Sequence, residues 1–285
     1  MVVKEHFIKN QNYSSQFIIF EINGGIGNQI FQLASSYCFA IKTGRRIILD
    51  TRGCDSANSF HGSWHLDLLV KEMQKELPIR ITRSNNLVKI VKRKVLDFIH
   101  KPTMIAKTEI VIQYMRDEPF EELGKYVFIP TIEDRFLAKE ALRLGFGKFF
   151  NRIQFHSEPE FNYKVNLVGV HVRRSDAIGT DRLVPDSWFT TVLNEFLNRN
   201  ILLFTDSVEK LSFLSTLNTS IFVFGPEMHP LESIICLSKC EVLVLSKSTF
   251  SFWAAAISDS KKIITPLSPE SPYVPLGSHV NYVPI

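Results

Sequence analysis

The sequence predicts an α/β protein built from two Rossmann-like domains, residues 1–155 and 156–285. Two observations carry this prediction. Residues 16–50 alternate between strand, glycine loop, helix and strand, and a longer series of alternating strands and helices begins near residue 165. Strands that alternate with helices form parallel sheets covered by helices. The domain boundary is expected between residues 145 and 165, where glycines and a Glu-Pro pair interrupt the pattern.

The first unit reads clearly as strand, helix and strand. Residues 16–22 are mostly apolar and predict a strand, and the loop Gly24-Gly25-Ile26-Gly27 follows it. Residues 29–42 carry apolar side chains at the spacing of a buried helix face. Gly44 is expected to end this helix, and the strand Arg46–Asp50 comes next.

The second unit predicts a Rossmann-like sheet of its own. Its apolar runs and helical patterns are short and alternate regularly. The predicted strands cover residues 167–172, 201–205, 220–224, 242–245 and 262–265, and the predicted helices cover residues 187–197, 208–217, 230–239 and 250–258.

Composition excludes some classes of protein. The chain has 285 residues, 45% of them hydrophobic and 22% charged, which is typical of a globular protein with a sizeable core. A net charge of +4 is too weak to indicate nucleic-acid binding. No apolar run approaches the roughly 20 residues of a membrane span, and the N-terminus lacks the core of a signal peptide. We therefore expect a cytoplasmic protein whose four cysteines are reduced and buried (Cys38, Cys54, Cys236 and Cys240).

One segment is strongly basic. Residues 80–101 hold seven Lys or Arg against a single acid, Asp97, and their apolar residues fall near helical spacing. This pattern fits an amphipathic helix that rests on an anionic membrane surface, and it equally fits an ordinary surface helix with a solvated face.

The most informative stretch is Val170-His171-Val172-Arg173-Arg174-Ser175-Asp176. Two adjacent arginines are poorly placed inside a sheet, so the strand should end there and leave them at its carboxyl edge. Ligands of open α/β sheets bind at that edge. Arginine donates a planar fork of hydrogen bonds that suits phosphate, although a solvated strand end remains the alternative.

Three other strand ends carry polar groups. The loop at residues 24–29 brings backbone close to a ligand or only packs its helix, and Asn28 can both donate and accept hydrogen bonds there. Asp206 follows the next strand after the arginines and either caps a helix or touches a ligand. The turn at residues 246–251 offers more hydroxyls than capping requires, which is typical of an anion site.

Taken together, these motifs resemble the α1,2-fucosyltransferases of glycosyltransferase family 11 over residues 17–265. The motifs are Gly-Gly-Ile-Gly-Asn-Gln-Ile-Phe-Gln (24–32), His-Val-Arg-Arg-Ser-Asp (171–176), Phe-Thr-Asp (204–206) and Ser-Thr-Phe-Ser-Phe-Trp-Ala-Ala (248–255). The resemblance implies a GT-B architecture, in which two Rossmann-like domains face a cleft. It also implies GDP-β-L-fucose as donor and inverting transfer without a metal or other cofactor, and no Asp-x-Asp triplet occurs in the chain.

The resemblance also implies roles for individual residues. Arg173 and Arg174 would hold the diphosphate, and His171 would lie beside the nucleotide. Asn28 would face the reacting centre. The other donor-binding residues implied are Asp206, Ser248, Thr249, Ser251, Gly24, Gly25 and Gly27.

The chain departs from the family pattern just after the arginines. Residues 175–181 resemble core α1,6-fucosyltransferases, in which an acid stands at the position of Asp181. Asp181 is thus either a general base or an ordinary loop acid. Asp176 is the other candidate base, although it can instead orient the arginines through a salt bridge.

The acceptor is the least constrained part of the prediction. The resemblance implies an oligosaccharide or glycolipid, and the linkage is α1,2 to galactose or, alternatively, α1,6. Another nucleotide-sugar transferase and a non-catalytic glycan-binding or nucleotide-binding module are the remaining alternatives. Location follows the same reasoning: a bacterial enzyme peripheral to the inner membrane, or a Golgi enzyme if a membrane anchor has been trimmed.

Overall fold

The computed structural model divides the chain into two compact units, Met1–Ile153 and Gln154–Ile285. Each unit contains a parallel sheet, so the predicted α/β class is confirmed. The residues that the structure describes are 15–54, 63–83, 126–129, 133–155, 166–217, 219–269, 271 and 279–285.

The first unit is built on a four-stranded sheet in the order β3-β2-β1-β4, in which every pair is parallel. Its strands are β1 (Phe17–Glu21), β2 (Arg46–Asp50), β3 (Ile79–Thr82) and β4 (Tyr126–Ile129). Its helices are α1 (Ile26–Thr43), α2 (Asp67–Gln74) and α3 (Arg135–Arg143), and a 3-10 helix spans Phe146–Arg152.

Helix α1 is the longest element described and is buried over most of its length. It begins at Ile26, three residues before the predicted start at residue 29. Gly44 ends it as predicted, because its φ of 63° is open to glycine and its N–H donates to the Ala40 carbonyl at 2.9 Å. The phenol of Tyr37 on α1 donates to the Leu144 carbonyl at 2.8 Å, which ties α1 to the end of α3.

The basic segment at residues 80–101 is only partly described. Residues 79–82 form the strand β3, in which Ile79 pairs with Ile47 of β2. Residues 84–101 lie outside the described residues, so the amphipathic helix stays a prediction.

The second unit is built on a six-stranded parallel sheet in the order β10-β9-β8-β5-β6-β7. Its strands are β5 (Leu167–Val172), β6 (Asn200–Thr205), β7 (Ile221–Phe224), β8 (Val242–Leu245), β9 (Lys262–Thr265) and β10 (Val280–Tyr282). Its helices are α4 (Asp186–Leu193), α5 (Pro230–Ser238) and α6 (Thr249–Ala256). The five predicted strands are present, and β10 is a strand that the sequence analysis missed.

The predicted helix over residues 208–217 is wrong. Two short 3-10 helices, Val208–Lys210 and Ser212–Thr216, stand in its place. An α-helix would use the Lys210 carbonyl for the Leu214 N–H, but that N–H donates to the Leu211 carbonyl instead. The Lys210 carbonyl accepts from the side chain of Arg174 at 3.3 Å, so a tertiary contact replaces the helical bond.

The central strand β5 places different side chains on its two faces. Val168, Val170 and Val172 join the aromatic side chains of α4 in one buried cluster. On the other face, Gly169 lets α5 approach closely, because an added Cβ would lie 2.7 Å from Leu237 Cδ1. Strand β5, which directly precedes the two arginines, is therefore buried over its whole length.

Candidate functional site

The carboxyl ends of β8, β5 and β6 lie side by side, as parallel pairing of these strands requires. The Ser246 N–H donates to the His171 carbonyl at 3.2 Å, which extends the β8–β5 pairing by one residue beyond β8. Asp206 follows β6 immediately and contacts the turn after β5. The structure thus brings the arginines, Asp206 and the hydroxyl-rich turn to one edge of the second sheet.

Arg173 is held at this edge by one carboxylate. Its Nε and Nη2 donate to the two oxygens of Asp176 at 2.6 and 2.5 Å, a bidentate pair. Arg182 also approaches Asp176, at 3.6 Å. The side chain of Arg173 is 20% exposed, and its Nη1 has no partner among the described residues. Asp176 therefore fixes the guanidinium while leaving donors available.

Arg174 lies inside the fold, and this placement contradicts the expectation that it holds a diphosphate. Its side chain is 4% exposed and its Nη2 forms an ion pair with Asp186 of α4. Its Nη1 donates to the Val184 carbonyl at 2.9 Å, and its guanidinium lies 5.4 Å from the ring centre of Phe189. Because its donors are consumed by the protein, Arg174 is a structural residue.

Asp206 neither caps a helix nor presents a carboxylate without partners. Its two oxygens accept the backbone N–H groups of Arg174 at 2.7 Å and of Ser175 at 3.2 Å. The Ser175 hydroxyl donates to it as well, at 2.5 Å. Asp206 therefore shapes the turn after β5, and its expected contact with the donor stays a prediction.

The ring of His171, near the end of β5, contacts the hydroxyl-rich turn at residues 246–251. The ring is 6% exposed and stacks on Phe250, with 4.4 Å between ring centres. Its Nδ1 lies 2.7 Å from the Ser251 hydroxyl and 2.8 Å from the Ser246 hydroxyl. The Ser248 hydroxyl accepts the Ser251 N–H, as a helix N-cap, and donates to the Ser251 hydroxyl at 3.1 Å.

This chain of hydroxyls favours one tautomer of His171. Since Ser248 donates to Ser251, the Ser251 hydroxyl can donate its own proton to Nδ1, and in that tautomer the ring proton lies on Nε2. The pKa of His171 is lowered from 6.5 to about 3, mainly by burial; the negative charge of Asp206 opposes this shift and the positive charge of Arg173 adds to it. The ring is neutral at physiological pH, and its Nε2–H has no acceptor among the described residues.

The serines are therefore used differently from the expectation that they contact phosphate oxygens. Ser248 and Ser251 are 3% and 1% exposed, and their hydroxyls serve the cap and the histidine. Thr249 is the first residue of α6 and is half-buried. The surplus hydroxyls that the sequence showed orient an imidazole, and Ser246, which the sequence analysis did not single out, is one of them.

Asp181 lies on an exposed loop that follows the arginines. Gly179 in this loop has a φ of 80°, and the Thr180 hydroxyl donates to the Ala177 carbonyl at 2.7 Å. The backbone carbonyl of Asp181 accepts from Lys247 Nζ at 3.1 Å, while its carboxylate has no partner among the described residues. The loop thus presents an acid beside the turn that follows β8.

In the first unit, the glycine loop forms the turn between β1 and α1. Gly24 has a φ of 76°, and an added Cβ would lie 3.1 Å from Nδ2 of Asn28, so the loop needs glycine there. Gly25 is the N-cap of α1, Gly27 is buried in its first turn, and Asn28 is half-buried.

Two glutamines that the sequence analysis missed hold this loop. Both are fully buried on α1. Gln29 Nε2 donates to the Gly24 carbonyl at 2.8 Å, and Gln32 contacts both backbone groups of Asn23 through its amide. Glutamine inside an apolar helix pattern is a signal for such bonds, because a buried amide requires partners.

The described residues contain no group of three His, Cys, Asp or Glu side chains that could hold a metal ion. Among the helices described, none has the length and apolar character needed to cross a membrane. All four cysteines are free and buried.

Comparisons with known proteins agree with this architecture. The family model of Glycosyl transferase family 11 matches residues 3–282. An α-1,2-colitosyltransferase of Escherichia coli is 24% identical over 263 residues, which cover 84% of this chain and 86% of the relative.

Among solved structures, the fucosyltransferase NodZ from Bradyrhizobium is similar with a TM-score of 0.60 and 19% identity, over 88% of this chain and 94% of that chain. NodZ α-1,6-fucosyltransferase co-crystallized with GDP is similar with a TM-score of 0.57 and 19% identity over the same shares. The predicted GT-B-like fold is confirmed by these neighbours. Since the family model matches nearly the whole sequence, the chain belongs to glycosyltransferase family 11 and is a glycosyltransferase.

Proposed function

We propose that this enzyme transfers L-fucose from GDP-β-L-fucose to O2 of a galactose residue, with inversion and without a metal. One observation carries the proposal. Arg173 Nη1, a hydrogen-bond donor, and His171 Nε2, which carries the ring proton in the favoured tautomer, have no partner among the described residues and lie at the carboxyl edge of the second sheet. Two fixed donors of this kind suit the diphosphate of a nucleotide sugar.

The choice of donor is supported by the relatives. NodZ has been crystallized with GDP and soaked with GDP-fucose, and its fold is shared over most of both chains. The colitosyltransferase relative supports a second candidate donor that carries colitose instead of fucose. Both sugars therefore belong in a test of the donor.

Chemically, an inverting displacement needs charge stabilisation at the leaving phosphate. As the bond from C1 to the phosphate oxygen breaks, negative charge grows on the β-phosphate. Arg173 is preorganised by Asp176, so it stabilises this charge without reorganising during the reaction. Neutral His171 adds a dipolar donor whose proton stays in place at physiological pH.

The general base in this proposal is Asp181. Both oxygens of Asp176 accept from Arg173, and Arg182 approaches the same carboxylate, so Asp176 is occupied in orienting the arginine. Asp181 is exposed on the neighbouring loop and its carboxylate has no partner among the described residues. It can therefore accept the proton of an incoming hydroxyl.

The linkage has one specific alternative. The structural neighbour NodZ is named an α-1,6-fucosyltransferase, and the loop that carries Asp181 resembles that group. The curated relative is named an α-1,2-transferase, and the α6 motif favours the same linkage. We also propose that residues 1–155 form the acceptor side, with Asn28 at the reacting centre, and that residues 156–285 form the donor side. The acceptor in this proposal is a glycolipid or an oligosaccharide, and the enzyme acts at the inner membrane.

The proposal is tested by product analysis. The full chain is incubated with GDP-fucose or the colitose donor and a panel of galactosides, and GDP release and the linkage and anomeric configuration of the product are determined. We expect an α1,2-linked fucoside, formed at the same rate with EDTA present. An unchanged kcat of Asp181→Asn at saturating acceptor would exclude the base. A product of retained configuration, or GDP release from neither donor, would overturn the proposed reaction.

A further inference from the structure

The cations at the carboxyl edge of the second sheet are not equally available to an anion. Arg173 and Arg182 share the carboxylate of Asp176, with contacts of 2.5 and 3.6 Å. Arg174 is paired with Asp186 inside the fold. Each of these guanidinium groups already faces a carboxylate, so an entering diphosphate meets positive charge that is partly neutralised.

Lys247 differs from these arginines. Its Nζ donates to the Asp181 backbone carbonyl at 3.1 Å, and no carboxylate of the described residues pairs with it. A carbonyl is a neutral acceptor and leaves the ammonium charge uncompensated. Two of its three N–H groups have no partner in the described part of the chain.

Lys247 connects the carboxyl ends of β8 and β5 through its side chain. It lies between β8 and Ser248, the N-cap of α6, and its side chain reaches the loop that follows β5. His171, nine-tenths buried, lies at the end of β5 beside this turn, and its Nε2–H has no acceptor among the described residues. An uncompensated cation and an unused buried donor thus occupy the same pair of neighbouring strand ends.

We propose that Lys247 is a donor-binding residue that exchanges the Asp181 carbonyl for an oxygen of the nucleotide diphosphate. The inference rests on the proposed function, because it requires a nucleoside diphosphate donor. A charge-assisted bond to phosphate is stronger than a bond to a neutral carbonyl, so the exchange favours the bound state. No motif indicated this residue, since a single lysine in a turn has no pattern.

The experiment measures binding of GDP and guanosine by titration calorimetry to the wild-type chain and to Lys247→Gln. Loss of one bond to a charged group weakens GDP binding by about 10- to 100-fold. Guanosine has no phosphate, so its binding should stay unchanged. Lys247→Arg keeps the charge and should retain most of the affinity for GDP.

The matched control is Lys261→Gln, which makes the same change of charge directly before β9, where the lysine is paired with Glu241. It should bind GDP like the wild type. If Lys247→Gln binds GDP as the wild type does, or loses guanosine to the same extent, the inference is overturned while the proposed function stands. If the wild-type chain binds no GDP, the proposed function itself fails.

Discussion

Arg173 and Arg174 are adjacent in the chain but belong to two different regions of the second unit. The edge region, formed by Arg173, Asp176 and His171, keeps hydrogen-bond donors that the described protein does not use. The anchor region, formed by Arg174 and Asp186, consumes its donors within the fold. Of two identical side chains, one therefore keeps a donor available for a ligand and the other stabilises the fold.

Charge alone therefore does not identify a binding residue. Successive residues near the end of a strand point to opposite faces, and Arg174 continues the face of Val170 and Val172, which α4 covers. On that face a guanidinium must find its partners inside the protein. Arg173 leaves on the opposite side and meets its acid at the surface.

The anchor region gives the largest expected effect. Arg174→Ala should lower the free energy of unfolding by about 3 kcal/mol, because it removes a buried side chain and leaves the Val184 carbonyl without its donor, while Asp186, 36% exposed, keeps the Ser212 hydroxyl. Denaturant unfolding of the purified protein measures this. Arg173→Ala is the matched control and should cost less, since its side chain is 20% exposed and Arg182 still faces Asp176. Equal losses for the two variants would erase the distinction between the regions.

The edge region gives the next largest effect, and it concerns catalysis. Arg173→Ala should lower kcat by about 100- to 1,000-fold, the usual cost of removing one preorganised donor at a developing charge. Its melting temperature should stay near that of the wild type. Initial rates of GDP release at saturating donor and acceptor measure the effect. A kcat within a few-fold of the wild type in the folded variant would remove Arg173 from the reaction.

The sequence predicted the order of elements well because each depends on local patterns. The strands Leu167–Val172 and Val242–Leu245 match their predicted bounds. One failure involves a tertiary contact. The interval from Val208 to Leu217 forms two short 3-10 helices, and the Lys210 carbonyl accepts from Arg174, distant in sequence, instead of from a helical N–H.

The candidate site was predictable in position but only partly in role. Parallel pairing brings the polar strand ends together, and the sequence shows which residues stand there. It does not show that Asp186 on α4 pairs with one of the two arginines, or that serines of the hydroxyl-rich turn form hydrogen bonds with His171. These assignments depend on distances between elements, which no local pattern encodes.

The smallest expected effect is a pH dependence within the edge region. His171 stays neutral in the folded chain, with its pKa lowered to about 3, while the unfolded chain binds a proton near pH 6.5. Between these values the unfolded state holds more protons, so stability rises with pH and is lost on acidification. The contribution is about 1.4 kcal/mol per pH unit below 6.5.

His171→Gln removes this term and leaves the titration of the carboxylates in place. The difference in free energy of unfolding between the two proteins should therefore shrink steadily as the pH falls from 6.5 to 4.5. Denaturant unfolding at several pH values measures it. A difference that stays constant over this range would mean that the imidazole takes up a proton in the fold, and the hydroxyl chain from Ser248 through Ser251 would no longer determine its tautomer.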